Sequence, residues 1–153
     1  MPVPRLLVVY HSQSGASARL AAAARGGAEA TDGITVTLCR AWDAGSQDIL
    51  AVDGLLLVAA ENSGGLSGGM KDFLDRTFYP VGERERVLPC ALLLSAGNDG
   101  RGAVRQAQRI LSGFPMREAV EPVVCRGPVT PDLEARAREL GAGFAAGLEM
   151  GIF

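Results

Sequence analysis

Three serines, Ser12, Ser14 and Ser17, fall close together with Gln13, Gly15 and Ala16 between them. They follow the apolar run Leu6-Leu7-Val8-Val9 and precede the alanine-rich segment Ala18 to Ala24. Strand, hydroxyl-rich turn and helix start is the layout of an anion cradle. Hydroxyls and free backbone N–H groups converge at the positive end of a helix dipole, where a phosphate is held without lysine or arginine. A serine N-cap alone would need one of these hydroxyls. The only histidine, His11, borders the turn and suits a loop hydrogen bond, contact with the anion or proton donation. Arg19 and Arg101 are candidates to neutralise negative charge, or are surface residues.

Two further segments are rich in glycine. One runs from Ala60 to Ser67 and contains Glu61, Asn62, Ser63, Gly64 and Gly65; the other runs from Ala96 to Gly102 and contains Gly97, Asn98 and Asp99. Backbone there can approach a flat ligand closely. Rival motifs fail on context. Gly65-Leu66-Ser67-Gly68-Gly69 has the glycines of a nucleophile elbow, but the strand ends several residues earlier and no histidine follows. Ser67 instead reads as a helix N-cap. Gly97-Asn98-Asp99-Gly100-Arg101-Gly102 has the wrong order for a dinucleotide fingerprint, and the sole lysine, Lys71, is not in a Gly-Lys-Ser/Thr setting. Receiver-type phosphoryl transfer needs carboxylates where the first strand ends in Tyr10-His11-Ser12.

The elements that must position these loops are legible from polarity. Five β-like runs, Arg5 to Tyr10, Ile34 to Cys39, Gly54 to Ala60, Cys90 to Ser95 and Ala119 to Cys125, alternate with helical segments, which predicts a parallel sheet covered on both faces. The first, third and fourth are continuously apolar and belong in the centre. The second alternates as Ile34-Thr35-Val36-Thr37-Leu38, and the fifth carries Glu121 and Pro122, so these are edges. The resulting order is 2-1-3-4-5: a three-layer, doubly wound α/β fold with a five-stranded parallel sheet. Apolar stripes predict helices carrying Met70, Phe73, Leu74 and Phe78, then Val104, Ala107, Leu111 and Phe114, then Leu133, Ala137, Leu140, Phe144 and Leu148. Only a short helix, Ser46 to Ala51, fits between the second and third strands, and Gly82 to Arg86 reads as a flexible surface turn. In this order the ligand crevice lies outside the carboxyl ends of strands one and three, where the loops from Ser12 and Ala60 meet.

Length and composition set the frame. A chain of 153 residues, 48% apolar and 21% charged, forms one domain over 1–153 with a substantial core. A net charge of -2 with dispersed arginines argues against a nucleic-acid partner. The first apolar run is too short to export or span, so a cytoplasmic location without membrane insertion is expected. Cys39, Cys90 and Cys125 show no CxxC spacing and read as buried reduced thiols, not metal ligands.

The pattern Ser-x-Ser-Gly-x-Ser at Ser12 to Ser17 resembles the FMN phosphate loop of flavodoxin-like proteins. The segment from Asp53 to Arg76, ending Met70-Lys71-Asp72-Phe73-Leu74-Asp75-Arg76, is similar to the matching stretch of flavodoxin-like NAD(P)H oxidoreductases, including their quinone-reductase and FMN-reductase branches. The resemblance implies noncovalent FMN, with phosphate on Ser12, Gln13, Ser14, Gly15, Ala16 and Ser17. It places the isoalloxazine ring between Glu61, Asn62, Ser63, Gly64 and Gly65 on one side and Ala96, Gly97, Asn98 and Asp99 on the other. It further implies NADH or NADPH as co-substrate, hydride transfer to the flavin, a quinone or similar small-molecule acceptor, and a homodimer, which the apolar tail Gly151-Ile152-Phe153 would suit. No protein residue is then needed as a nucleophile. The family's proline at the end of strand three and the aromatic after it are replaced by Ala60 and Ser63. The alternatives are a flavodoxin-type electron carrier, although such carriers are usually more acidic, and a flavin-free regulatory protein on the same fold.

Overall fold

The computed structural model describes residues 2–153. Its elements run β1 (Arg5–Tyr10), α1 (Ala16–Glu29), β2 (Thr35–Arg40), α2 (Ser46–Leu50), β3 (Gly54–Asn62), β4 (Gly65–Leu66), α3 (Gly68–Gly82), β5 (Leu88–Ala96), α4 (Arg101–Leu111), β6 (Met116–Glu118), β7 (Val123–Arg126) and α5 (Pro131–Met150). The main sheet follows the order β2-β1-β3-β5, with β6 and β7 both on the outer side of β5. All these pairings are parallel, so the expected 2-1-3-4-5 winding holds once the fifth strand is read as β6 plus β7.

Continuous apolarity in the central strands follows from their two covered faces. Leu6, Val8, Leu56, Val58, Ala91 and Leu93 point to the layer built by α1 and α5, and alternate residues Leu7, Val9, Leu55, Leu57, Leu92 and Leu94 point to α2, α3 and α4. Each strand thus fills two cores, with the period of two that pleating imposes. In the first layer α1 crosses α5 at glycines. A methyl group at Gly27 would collide with the Arg138 carbonyl, and one at Gly141 with the Ala24 carbonyl, so the two backbones are in direct contact. Helix α5 starts at Thr130, whose Oγ1 accepts the Leu133 N–H at 3.2 Å, with Pro131 following where its missing N–H is harmless.

Four details depart from the sequence expectations. The fifth strand is not the single run Ala119 to Cys125. Its ladder breaks after the Cys90–Glu118 pair and resumes at Leu93–Val123, so two residues of β5 face four on the edge, and Pro122 sits in the excess. The second strand lies one residue later than expected, at Thr35–Arg40. Helix α3 continues through Pro80 to Gly82, with Val81 fully buried so that packing against the core outweighs the missing N–H; the following turn therefore begins only at Glu83. A small antiparallel strand, β4, also folds back on β3.

Cys90 and Cys125 are buried free thiols and Cys39 is half-buried. Burial pushes all three upward: Cys90 to about 12, and Cys39 in a direction that Asp48 and Asp43 reinforce. Among the described residues, no helix is long and apolar enough to cross a membrane.

Candidate functional site

The carboxyl ends of β1, β3, β5 and β7 open on one side of the sheet, and the loops leaving them enclose a cleft of ≈ 240 Å³. Ser14 and Ala16 form one wall, Ala60, Glu61 and Asn62 a second, Ser95, Ala96 and Gly97 a third, and Gly127 with Pro128 a fourth. The crevice therefore lies where strand order places it.

The first wall is a bare helix terminus. Gly15 has φ +102°, a left-handed conformation that closes the turn before α1, and its N–H donates to Ser12 Oγ at 3.0 Å. The first helical bond runs from the Arg19 N–H to the Gly15 carbonyl. The N–H groups of Ala16, Ser17 and Ala18 therefore precede the hydrogen-bonded helix. No side chain caps them and no acidic residue lies in the first turn, so the positive end of a 14-residue helix faces the cleft. The three serines diverge in role. Ser12 is held by Gly15, Ser17 is buried with Oγ 3.0 Å from Ser95 Oγ, and Ser14 stays exposed on the cleft wall.

The second wall is a hairpin, a feature absent from the sequence expectation. Glu61 and Asn62 pair with Leu66 and Gly65 across a two-residue turn in which both Ser63 (φ 50°) and Gly64 (φ 80°) are left-handed. Positive φ at both central positions is what a type I′ turn requires. Helix α4 clamps the hairpin. Glu61 Oε2 accepts the Ala103 N–H at 3.3 Å, Gln106 Oε1 accepts the Leu66 N–H at 2.6 Å, and a methyl at Gly102 would strike the Gly64 carbonyl. Glu61 is thus turned to the start of α4, where the helix dipole favours its charge. Asn62 Nδ2 donates to Gln13 Oε1 at 3.2 Å and ties the hairpin to the first wall.

The third wall turns through Gly97, Asn98 and Asp99 to Gly100 (φ 72°), where α4 begins. Asp99 Oδ1 accepts the Arg101 N–H at 3.0 Å, and Arg126 Nε donates to the Asn98 carbonyl at 3.0 Å. No protein acceptor takes the N–H groups of Gly97 and Asn98 among the described residues. The Gly127 N–H donates to the Ala96 carbonyl at 2.8 Å, which brings Gly127-Pro128 over the cleft. Those two residues escaped the sequence reading, although a glycine and a proline leaving a strand at the same sheet end were the available signal.

Other candidates lie outside the cleft walls. His11 Nδ1 is 3.1 Å from Ser67 Oγ, its ring fills the space a methyl at Gly69 would take, and Trp42 meets it edge-on at 5.6 Å. Ser67 holds the N-cap position of α3, but its hydroxyl makes no capping bond. Arg19 pairs with Glu134 at 2.6 Å and Arg101 with Asp99 at 3.5 Å. No aromatic residue lines the cleft, as expected from Ser63 and from the loop after Ser95. The one exposed aromatic at this end, Trp42, sits beyond β1 and was not singled out from the sequence.

No family model matches the chain. A flavodoxin of Aquifex aeolicus (strain VF5) is 31% identical over 101 residues, covering 65% of this chain and 55% of that protein. Among solved structures, the flavodiiron core Flv1 of Synechocystis sp. PCC6803 superposes with a TM-score of 0.81 at 17% identity, over 97% of this chain and 37% of that one. An archaeal flavodoxin superposes with a TM-score of 0.77 at 18% identity, over 95% of this chain and 99% of that one. The layers, strand order and these superpositions together identify the architecture: the chain adopts the flavodoxin-like fold.

Proposed function

We propose that the chain binds FMN noncovalently and acts as a flavin-dependent oxidoreductase, with NADH or NADPH as hydride donor and a quinone or similar small molecule as acceptor. The observation that carries this reading is the uncapped start of α1, opening on a cleft whose other walls are backbone-rich turns. The residues present fit the group. Ala16, Ser17 and Ala18 offer N–H groups and Ser14 a hydroxyl to a phosphate dianion, with Gly15 keeping the turn open. Between Asn62 and Gly97 the walls carry no bulky side chain, which leaves room for a flat ring. The free N–H groups of Gly97 and Asn98 would stabilise negative charge on its polar edge.

Bound FMN supplies the hydride and electron chemistry; the protein supplies position and field. Asn62, held by Gln13, fixes the hairpin wall, and Glu61 and Gln106 keep that wall seated on α4. Without an aromatic wall the ring lacks stacking worth about 0.5–1.5 kcal/mol, so binding rests on the phosphate end.

Equilibrium titration of the apoprotein with FMN and with riboflavin tests the cofactor. FMN should bind at least about tenfold more tightly, since a tenfold ratio needs only ~1.4 kcal/mol from the phosphate, and equal affinities would refute the cradle. Anaerobic addition of NADH or NADPH to the FMN-loaded protein should then bleach the flavin absorbance. A second reading, an electron carrier reduced by a protein partner, is favoured by the likeness to the Aquifex flavodoxin. Loaded protein that neither nicotinamide bleaches would select it.

A further inference from the structure

Seven of the fifteen cations pair with an acid among the described residues. Arg25 pairs with Glu29, Arg40 with Asp43, Lys71 with Asp75, Arg76 with Asp72 and Arg86 with Asp53. Helix α4 concentrates cations on one face. It carries Arg101, Arg105 and Arg109 at successive i, i+4 positions and no acidic residue. That spacing makes one exposed stripe on the helix, roughly 12 Å long. Neither Arg105 nor Arg109 has an acidic partner among the described residues. The stripe continues onto the sheet edge. Arg101 and Arg105 flank an open groove floored by Val104 and Val124, and Arg126 lies on the same strand face as Val124. The acids beside it are Asp99, 3.5 Å from Arg101, Glu118, occupied by Gln108 at 2.9 Å, and Asp75, which shares a groove with Arg109 and is held by Lys71 at 2.9 Å. On a chain of net charge -2, four of the fourteen arginines share this surface.

We propose that α4 together with Arg126 is a docking surface for an acidic protein face, that of the electron-transfer partner. The redox role rests on the flavin reading above; the binding does not. The four guanidinium groups outnumber the three acids beside them, two of which are engaged by Gln108 and Lys71, and an opposing carboxylate surface relieves their mutual repulsion while steering encounter. A roughly 12 Å stripe with an apolar floor is broader than the few ångströms a single phosphate needs, which favours a protein face. Its position fits transfer: Arg126 holds Asn98, on the turn that forms the third wall of the cleft. A partner seated on the stripe lies alongside that cleft.

The test uses the full chain without flavin, so that failure of the flavin reading leaves it intact. A fluorescein-labelled glutamate 20-mer, a double-stranded DNA 20-mer and NADPH are titrated by anisotropy or competition at about 20 and about 200 mM salt, spanning weak to strong screening. The acidic peptide should bind, weaken at least tenfold at the higher salt, and lose at least tenfold affinity in the R105E/R109E variant. R25E/R138E, away from the stripe, should leave binding unchanged. Circular dichroism confirms that both variants fold. Equal binding by wild type and R105E/R109E overturns the proposal, as does preferential binding of DNA or of NADPH to the stripe. In the FMN-loaded protein, reduction of an acidic cytochrome should slow at least tenfold in R105E/R109E while reduction of a small neutral quinone is unchanged; equal loss with both acceptors overturns the docking role.

Discussion

Ser17 Oγ lies 3.0 Å from Ser95 Oγ in a buried contact that joins the first turn of α1 to the end of β5. It links the anion cradle to the third wall of the cleft beneath the site. Removing either hydroxyl leaves the other without its partner, at about 1–2 kcal/mol. S17A and S95A should each lower the urea midpoint, and the double variant should lose less than the sum of the two. Additive losses would show that the two hydroxyls do not act as a pair.

Gly15 is the hinge of the cradle because only its backbone must be left-handed there. A methyl at this position meets nothing within 4 Å, so the cost of G15A is conformational, about 1 kcal/mol. FMN affinity should fall along with stability as the turn relaxes and the N–H groups splay. Unchanged FMN binding in a variant that is measurably less stable would separate the loop from the ligand.

The crossing of α1 and α5 should be far less tolerant. In G141A the new methyl meets the Ala24 carbonyl, and in G27A it meets that of Arg138, so the helices must move apart. Overpacking of this kind costs roughly 1–3 kcal/mol, which thermal melts should report as a clear drop in Tm for either variant.

Ser63 occupies a left-handed position that glycine or asparagine fills with less strain. S63G should raise stability by up to about 1 kcal/mol, seen as a higher urea midpoint. If it lowers stability, Ser63 has a stabilising contact that outweighs its backbone strain.

Alkali should unfold the protein partly through Cys90. Its thiol is raised from 9.0 to about 12 by burial first and the nearby Glu118 second. The unfolded chain therefore ionises first, and the stabilisation present below pH 9 is lost as pH rises toward 12, at a limiting slope of about 1.4 kcal/mol per pH unit. Stability curves of wild type and C90A should converge over that window. In thiol labelling of the native protein, half-buried Cys39 should react ahead of Cys90 and Cys125.

The layout was legible where each residue answers to one local rule. Leu55-Leu56-Leu57-Val58 is apolar on both faces because both faces are covered, and Thr35 and Thr37 face solvent because β2 is an edge. What escaped depends on pairs distant in sequence. Glu61 lines the cleft, but that Ala103 claims its carboxylate, and that the hairpin it begins is held by Gln106, forty residues beyond Leu66, depends on distant partners. Ser17 matches the cradle pattern equally well whether its hydroxyl faces out or turns to Ser95. Pro122 signalled an edge, but the number of residues excluded from the ladder depends on where β7 regains register. Gly127-Pro128 enters the site only because that register places its end beside Ala96.

The broken edge also bears on self-association. An outer strand of ordinary length would offer an uninterrupted row of backbone donors and acceptors to another molecule. Here that row is three residues, then an irregular segment with Pro122, then four residues ending in Arg126. Neither piece is long enough to template cross-β stacking, and proline with a terminal charge further disfavours it. The same two-residue excess that carries β7 into register with the end of β5 therefore guards this flank of the sheet against fibril growth at high protein concentration.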